Sequence, residues 1–216
     1  ELNNIIRNKL KKNKEIDQIE IQTDISIPYS LRGIRRFFAK NYYPGQKILI
    51  EQYNLKNGEK HLYDANIIAT DSKSNSFQIL THQNEIKNIA LRDKSRRTNV
   101  ILFETQKRGF AVGDKIIFLK NDQNIGVQNG LIGKIEDIDK NGIFYIRPKN
   151  SKHRVKIDPN KYPWFDHSYA ISVHKSQGVT SSNVILLVDT AKEKLNSTES
   201  FYVSVSRAKR SLELFT

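Results

Sequence analysis

Leu2, Ile5, Ile6 and Leu10 recur at the three- and four-residue spacing of one helical face. The spacing predicts a short amphipathic helix at the start of the chain, packed through those four residues, with Arg7 and the Lys9, Lys11, Lys12, Lys14 cluster around the rest of its surface. From about residue 23 the period shortens to two: Ile25 and Ile27, then Ile48 and Ile50, alternate with other residues, so the middle of the chain reads as β-strand. Asn57-Gly58, Asn129-Gly130 and Asn141-Gly142 supply residues that tolerate positive φ and predict tight hairpins of type I′. Within this β region Pro44 to Ile50 matches Val112 to Phe118 at an offset of 68 residues, and Ile67 to Asp71 matches Ile135 to Asp139 at the same offset. We read two small barrel-like modules in tandem.

After Pro163 the pattern changes to strand (Tyr169 to Val173), polar turn, strand (Val184 to Asp189), helix (about Thr198 to Lys209) and strand (Leu212 to Thr216). That order is α/β. The expected organisation is therefore residues 1–22 and 161–216 as two pieces of one α/β domain, split around a β-rich module at 23–108 and a second small barrel at 109–160.

Composition adds a partner class. The chain has 216 residues with 36 Lys and Arg against 23 Asp and Glu, a net charge of +13, which favours a polyanion and puts nucleic acid first. Cysteine is absent, which removes disulfide scaffolds, thiolate metal sites and cysteine nucleophiles, and fits a cytoplasmic location. The apolar run Val184 to Val188 falls far short of the roughly 18 residues of a membrane span, so no membrane partner is expected. Methionine is missing and the chain opens on Glu1, from which we expect a piece of a longer polypeptide.

Two segments carry candidate chemistry. Tyr169 to Thr180 passes from apolar residues into a polar loop whose Ser172, His174, Lys175, Ser176 and Gln177 are donors suited to phosphates, and whose Gly178 allows close backbone approach. Phe201 to Arg210 places Arg207 near the end of a helix. "YAISVHKSQGVTSSNVILL" followed by "FYVSVSRAKRSLELFT" resembles motifs V and VI of superfamily 1 DNA helicases, in the RecD-like branch that includes the helicase part of TraI-type conjugative relaxases. "ELNNIIRNKLK" is similar to that branch's motif IV helix, and "GDKIIFLKNDQNIGVQNGLIGKI" resembles the β-barrel insertion of its second motor domain.

The resemblance implies a RecA-like second motor domain interrupted by a β-rich insertion of one or two small barrels. It implies ATP with Mg2+, bound mainly by a first motor domain outside this sequence, and single-stranded DNA as partner, with conjugative transfer proteins as further partners. Arg207 matches the motif VI arginine that reaches the γ-phosphate, a role suited to a planar cation that stays protonated. Arg7 stands where motif IV supplies a second catalytic cation. Gln177, Gly178 and Thr180 match the nucleotide-coupled turn of motif V, and Ser172, His174, Lys175 and Ser176 fall where the family contacts single-stranded DNA. Thr180 departs from the glutamate that many relatives use on the ribose, and Ser204-Val205 departs from the usual Ala-Leu before Ser-Arg.

No glycine is followed five residues later by another, so the chain has no G-x-x-x-x-G-K-[ST] phosphate loop, and by itself it should not hydrolyse ATP. The five histidines show no paired metal-ligand spacing. Arg147, Lys149, Lys152, Arg154, Lys156 and Lys161, flanked by Tyr145 and Trp164, form a basic stretch beside aromatics of the kind that binds single strands. Arg92, Lys94, Arg96 and Arg97 form a second. The competing expectation is a binding module without catalysis, or the remnant of a split helicase gene.

Overall fold

The computed structural model describes residues 2–31, 33–176, 180–188 and 198–216; the side chains of His174 and Lys175 are also outside the described set. The chain is mostly β-sheet with few helices. Helix α1 (Leu2–Lys12) leads into β1 (Ile21–Tyr29), two short 3-10 helices (Gly33–Phe37 and Ala39–Asn41), and β2 (Lys47–Asn54). There follow β3 (Lys60–Asp71), β4 (Ser76–Thr81), β5 (Ile86–Ala90) and the long β6 (Arg96–Phe110). These strands form one sheet in the order β1-β6-β2-β3-β4-β5, antiparallel throughout. A second antiparallel sheet, ordered β10-β9-β8-β7-β11, comprises β7 (Lys115–Phe118), β8 (Ile132–Ile138), β9 (Phe144–Pro148), β10 (Val155–Ile157) and β11 (Phe165–His167). Among the described residues the ladders leave both sheets open, and the second is tied to β1 by Ser26 N–H donating to Pro163 O at 2.7 Å.

The alternation read from the sequence becomes burial. Ile48, Ile50, Ile67, Phe77, Ile79 and Leu102 pack one core. Phe110, Phe118, Ile135, Phe144, Ile146 and Phe165 pack a second, joined by Ile25 from β1. Strand β6 therefore serves both cores, β1 pairs in the first sheet but packs in the second core, and β6 runs to Phe110, past the expected division at residue 108.

The offset of 68 reappears in the geometry. Strands β2 and β7 begin at Lys47 and Lys115, β4 and β9 at Ser76 and Phe144. Both β3 and β8 shift register at the matching place, between Ile67 and Ala69 and between Ile135 and Asp137. Gly45 N–H donates to Ile67 O at 2.7 Å, and Gly113 N–H to Ile135 O at 2.8 Å. Gln46 Oε1 accepts from Tyr43 N–H at 2.8 Å, and Asp114 Oδ2 from Ala111 N–H at 2.7 Å.

Several local expectations are corrected. Gly58, Gly130 and Gly142 do take positive φ, but the asparagines before them do not, so these turns are not type I′, which needs positive φ at both central residues. No strand forms over 169–173. The backbone there is held by side chains instead: Ala170 N–H donates to Asn3 Oδ1 at 2.7 Å and Asn3 Nδ2 donates to Ala170 O at 3.2 Å, while a 3-10 helix spans Val173–Ser176. Helix α1 does not bury the face expected of it. Ile5 is 61 % exposed and Leu2 42 %, and the buried residue is Arg7. Among the described residues its side chains reach Glu20, Asp114 and residues 167–170, the last of these within the C-terminal piece 161–216.

That layer is a β-α-β unit: β12 (Ser181–Leu187), α2 (Thr198–Val205) and β13 (Ala208–Phe215), the two strands parallel. The helix ends four residues before the expected Lys209, and Ala208 already belongs to β13. Asp189, expected to end the preceding strand, is outside the described residues.

Candidate nucleotide and nucleic-acid site

Arg207 lies in the turn between α2 and β13, not in the helix. Its Nε donates to Val203 O at 2.9 Å and Nη2 to Ser206 Oγ at 2.9 Å, so the guanidinium folds back over carbonyl-bearing residues at the helix end, where a cation is favoured. No acidic side chain pairs with it among the described residues. Strand pairing brings the other segment alongside: Ser181 N–H donates to Arg207 O at 2.9 Å, and Ser181 faces Ala208 in the β12–β13 register. Exposed Thr180 is therefore next to the Arg207 turn.

The 3-10 helix Val173–Ser176 packs on α2. Ser176 closes that turn twice, its N–H donating to Ser172 O at 3.1 Å and its Oγ to Val173 O at 2.7 Å, while Ser172 is exposed at its start. The turn of Ser172 and Ser176 and the turn of Arg207 thus both adjoin α2, with Thr180 next to the latter. Gln177 and Gly178, and the side chains of His174 and Lys175, lie outside the described residues.

Arg7 is bound into a buried ionic hub. Its Nε donates to Asp114 Oδ1 at 2.8 Å, Nη2 to Asp114 Oδ2 at 2.9 Å and Nη1 to Glu20 at 3.0 Å, so all three nitrogens are engaged. Asp114, fully buried, also accepts from Tyr169 Oη at 2.6 Å. Burial alone would raise its carboxyl; the hydrogen bonds from Arg7, Tyr169 and the Ala111 N–H outweigh it and hold Asp114 well below the usual carboxylate range. His167 Nε2 stands 3.7 Å away, too far for a hydrogen bond, and has no other partner among the described residues. Burial, then the Asp114 carboxylate, pushes the Tyr169 hydroxyl up and keeps it a neutral donor. This hub joins α1, the start of β7 and the segment leading to Val173–Ser176. Sequence reasoning missed Asp114, although its place in the repeat, opposite Gln46, was the available signal.

The basic stretch of the second sheet is partly neutralised. Arg147 makes two hydrogen bonds to Glu136, at 2.5 and 2.9 Å, and Arg154 Nε lies 3.8 Å from the same carboxylate. Lys149, Lys152 and Lys156 remain exposed, with Arg154 5.9 Å from the centre of the Tyr145 ring. Trp164 is taken up by packing: Lys120 lies over its ring at 3.6 Å, and Phe103 and Tyr162 meet its edge or face.

Residues 167–214 match the model of the UvrD-like helicase C-terminal domain. The chain resembles the second motor domain of superfamily 1 helicases. It is 33% identical over 110 residues to the conjugal transfer protein TraA of Agrobacterium fabrum, covering 50% of this chain and 10% of that protein. It is 26% identical over 135 residues to the RecBCD enzyme subunit RecD of Buchnera aphidicola from Acyrthosiphon pisum, covering 61% of this chain and 22% of that subunit. The chain thus spans a small part of the length of these relatives. A crystal structure of Bacteroides Pif1 bound to single-stranded DNA superposes with a TM-score of 0.41 at 22% identity, over 51% of this chain and 30% of that one. Among the described residues no helix is long and apolar enough to cross a membrane.

Proposed function

We propose that this chain is the second motor half of an ATP-dependent DNA helicase, in a conjugative relaxase-helicase, coupling ATP hydrolysis to movement along single-stranded DNA. In this reading residues 1–22 and 161–216 contribute to a RecA-like domain, and 23–108 and 109–160 are modules inserted into it. The observation that carries the reading is the β12–β13 pairing, which sets Arg207 next to Thr180, while the turn of Ser172 and Ser176 packs on the same helix α2. The match of 167–214 to a helicase domain and the TraA relatives support the same assignment.

The residues present fit a nucleotide's phosphates. Arg207 spends Nε and one Nη2 proton on its own turn, leaving Nη1 without a partner among the described residues, and a guanidinium edge is a bidentate phosphate donor. ATP supplies the free energy that moves the domains; Mg2+ is assigned to the first motor domain. Arg207 would bind terminal phosphate oxygens, and Thr180, Gln177 and Gly178 would line the same turn. Ser172, His174, Lys175 and Ser176 would meet the DNA backbone, so that displacement at Arg207 passes through α2 to the strand. Arg7, committed to Asp114 and Glu20, acts in this proposal by positioning α1 against the segment that leads to Val173–Ser176.

The parallel pair also suits a larger sheet. Ile185 is 72 % exposed and Leu187 62 %, and Phe215 shares their face, whereas parallel strands are ordinarily covered on both sides. The remainder of the motor would cover them.

The test is ATP hydrolysis by the native-length polypeptide with and without single-stranded DNA. Stimulated turnover is expected. Turnover indifferent to the strand, or none, would leave the non-catalytic binding module as the better account.

A further inference from the structure

Between β1 and β2 the chain makes an excursion through two 3-10 helices. From Ile25 to Ile50 there is no Asp or Glu, while Arg32, Arg35, Arg36, Lys40 and Lys47 fall in that stretch together with Tyr29, Phe37, Phe38, Tyr42 and Tyr43. The two 3-10 helices Gly33–Phe37 and Ala39–Asn41 display part of this set on the surface of the first sheet. Arg36 lies over the Phe37 ring at 4.7 Å from its centre, Arg92 over Phe38 at 4.6 Å and Lys40 over Phe38 at 5.8 Å. Arg36, Lys40 and Arg92 are exposed, and the two rings are half-buried.

Two features separate this surface from the other basic stretches. The first is charge. Among the described residues no carboxylate pairs with Arg35, Arg36, Lys40 or Arg92, whereas Arg147 and Arg154 share Glu136, Arg96 has Asp93 and Arg108 has Asp166. The second is fixed geometry. Asn75 accepts from Ala39 N–H at 2.8 Å and donates to Phe37 O at 2.9 Å, clamping the junction of the two turns to the β3–β4 turn. Tyr42, buried against Phe77 with ring centres 5.2 Å apart, donates its hydroxyl to Arg36 O at 2.9 Å, and Asn41 Nδ2 donates to Arg35 O at 2.9 Å. Leu91 N–H donates to Asn75 O at 3.2 Å and brings Arg92 to the same place. A surface already ordered loses little entropy on binding.

We propose that Arg36, Phe37, Phe38, Lys40 and Arg92 form a binding site for single-stranded nucleic acid on the first β module. Unneutralised cations beside aromatic rings match what an unpaired strand presents. Phosphates meet the guanidinium and ammonium N–H groups, and bases stack on phenyl faces or on guanidinium planes, which are equally flat. Double-stranded nucleic acid hides its base faces and cannot use the rings. The excursion has no counterpart in the second module: the 68-residue offset carries Ile34 to Tyr43 onto 102–111, which lies within β6 and the residue after it. The site is therefore an addition to the repeated unit. It rests on the reading of the chain as part of a motor that holds a single strand, and it gives that strand a track away from the Arg207 turn.

The test compares the native-length protein with two variants, Arg36→Glu/Arg92→Glu and Phe38→Leu, using fluorescence anisotropy of labelled oligothymidylate without nucleotide, over a range of salt. Thermal melting establishes that both variants fold. The charge reversal is expected to lower affinity by about tenfold or more at low salt and to flatten the log–log salt slope by roughly 1 to 2. Phe38→Leu, which keeps an apolar side chain but removes the ring, is expected to cost about fivefold or more with the slope unchanged. Variants that bind as the wild type does, while strand-stimulated ATP hydrolysis is intact in all three, would overturn the site and leave the motor reading standing. A wild type that neither binds the strand nor responds to it would remove both. Loss of binding to phosphatidylserine vesicles in the charge reversal, with oligothymidylate binding unchanged, would overturn the site by making it a lipid-facing surface.

Discussion

Asp114 shows how much one buried carboxylate can organise. It is fully buried and takes hydrogen bonds from Arg7, Tyr169 and the Ala111 N–H, so its charge is compensated by donors from three separate parts of the chain. Asp114→Asn removes the charge and leaves Arg7 with only Glu20, and should cost about 3–5 kcal/mol of stability near neutral pH, read by urea unfolding. The folded-state value is depressed, so this stabilisation is complete above the unfolded value of about 4 and is lost as pH falls below it toward the folded value. The gap between wild type and variant should therefore narrow below about pH 4; equal midpoints at pH 7, or a gap independent of pH, would contradict the hub. Arg7 was legible as a significant cation, but the sequence pattern assigned its helix an apolar buried face. What the pattern lacks is the partner: Asp114 is 107 residues away, and no local spacing announces the pair.

The β-strands and their repeat were readable because period-two alternation and an offset of 68 are both properties of the chain, independent of what packs against it. The C-terminal elements were less so. The run 169–173 has strand-like alternation, yet Tyr169 is drawn to Asp114 and Ala170 to Asn3, so side chains take the place of a ladder. Helix α2 stops at Val205 because Arg207 turns back onto Val203 O and hands the chain to β13. The duplicated turns provide a test of element geometry. Gly45 and Gly113 both hold positive φ, +90° and +97°, but a Cβ on Gly45 would meet nothing within 4 Å, whereas on Gly113 it would lie 3.1 Å from Glu15 O and 3.2 Å from Ile16 Cα. Each alanine substitution should cost about 1–2 kcal/mol from backbone strain, and Gly113→Ala should cost the more. Thermal unfolding of the two variants side by side checks the order, and equal or reversed losses would mean that the backbone of Glu15 and Ile16 does not constrain the turn at Gly113.

At the scale of the molecule, two β modules share strands β1 and β6, and a β-α-β unit carries the segments that resemble motifs V and VI. The helicase resemblance was legible from two short motifs. Their meeting was not, since it depends on the parallel register that sets Ser181 against Ala208. The basic character was legible as a total of +13, but not its distribution: ion pairs with Glu136 partly neutralise the stretch that composition singled out, and leave the acid-free excursion before β2 as the less compensated surface. Whether Arg207 serves the nucleotide is decided by strand-stimulated ATP turnover of the native-length polypeptide with Arg207 intact and with Arg207→Ala. Loss of roughly 10³-fold or more in turnover, with ATP affinity much less affected, is the expected result. Equal turnover in the two proteins would contradict it and return Arg207 to the role of a helix cap.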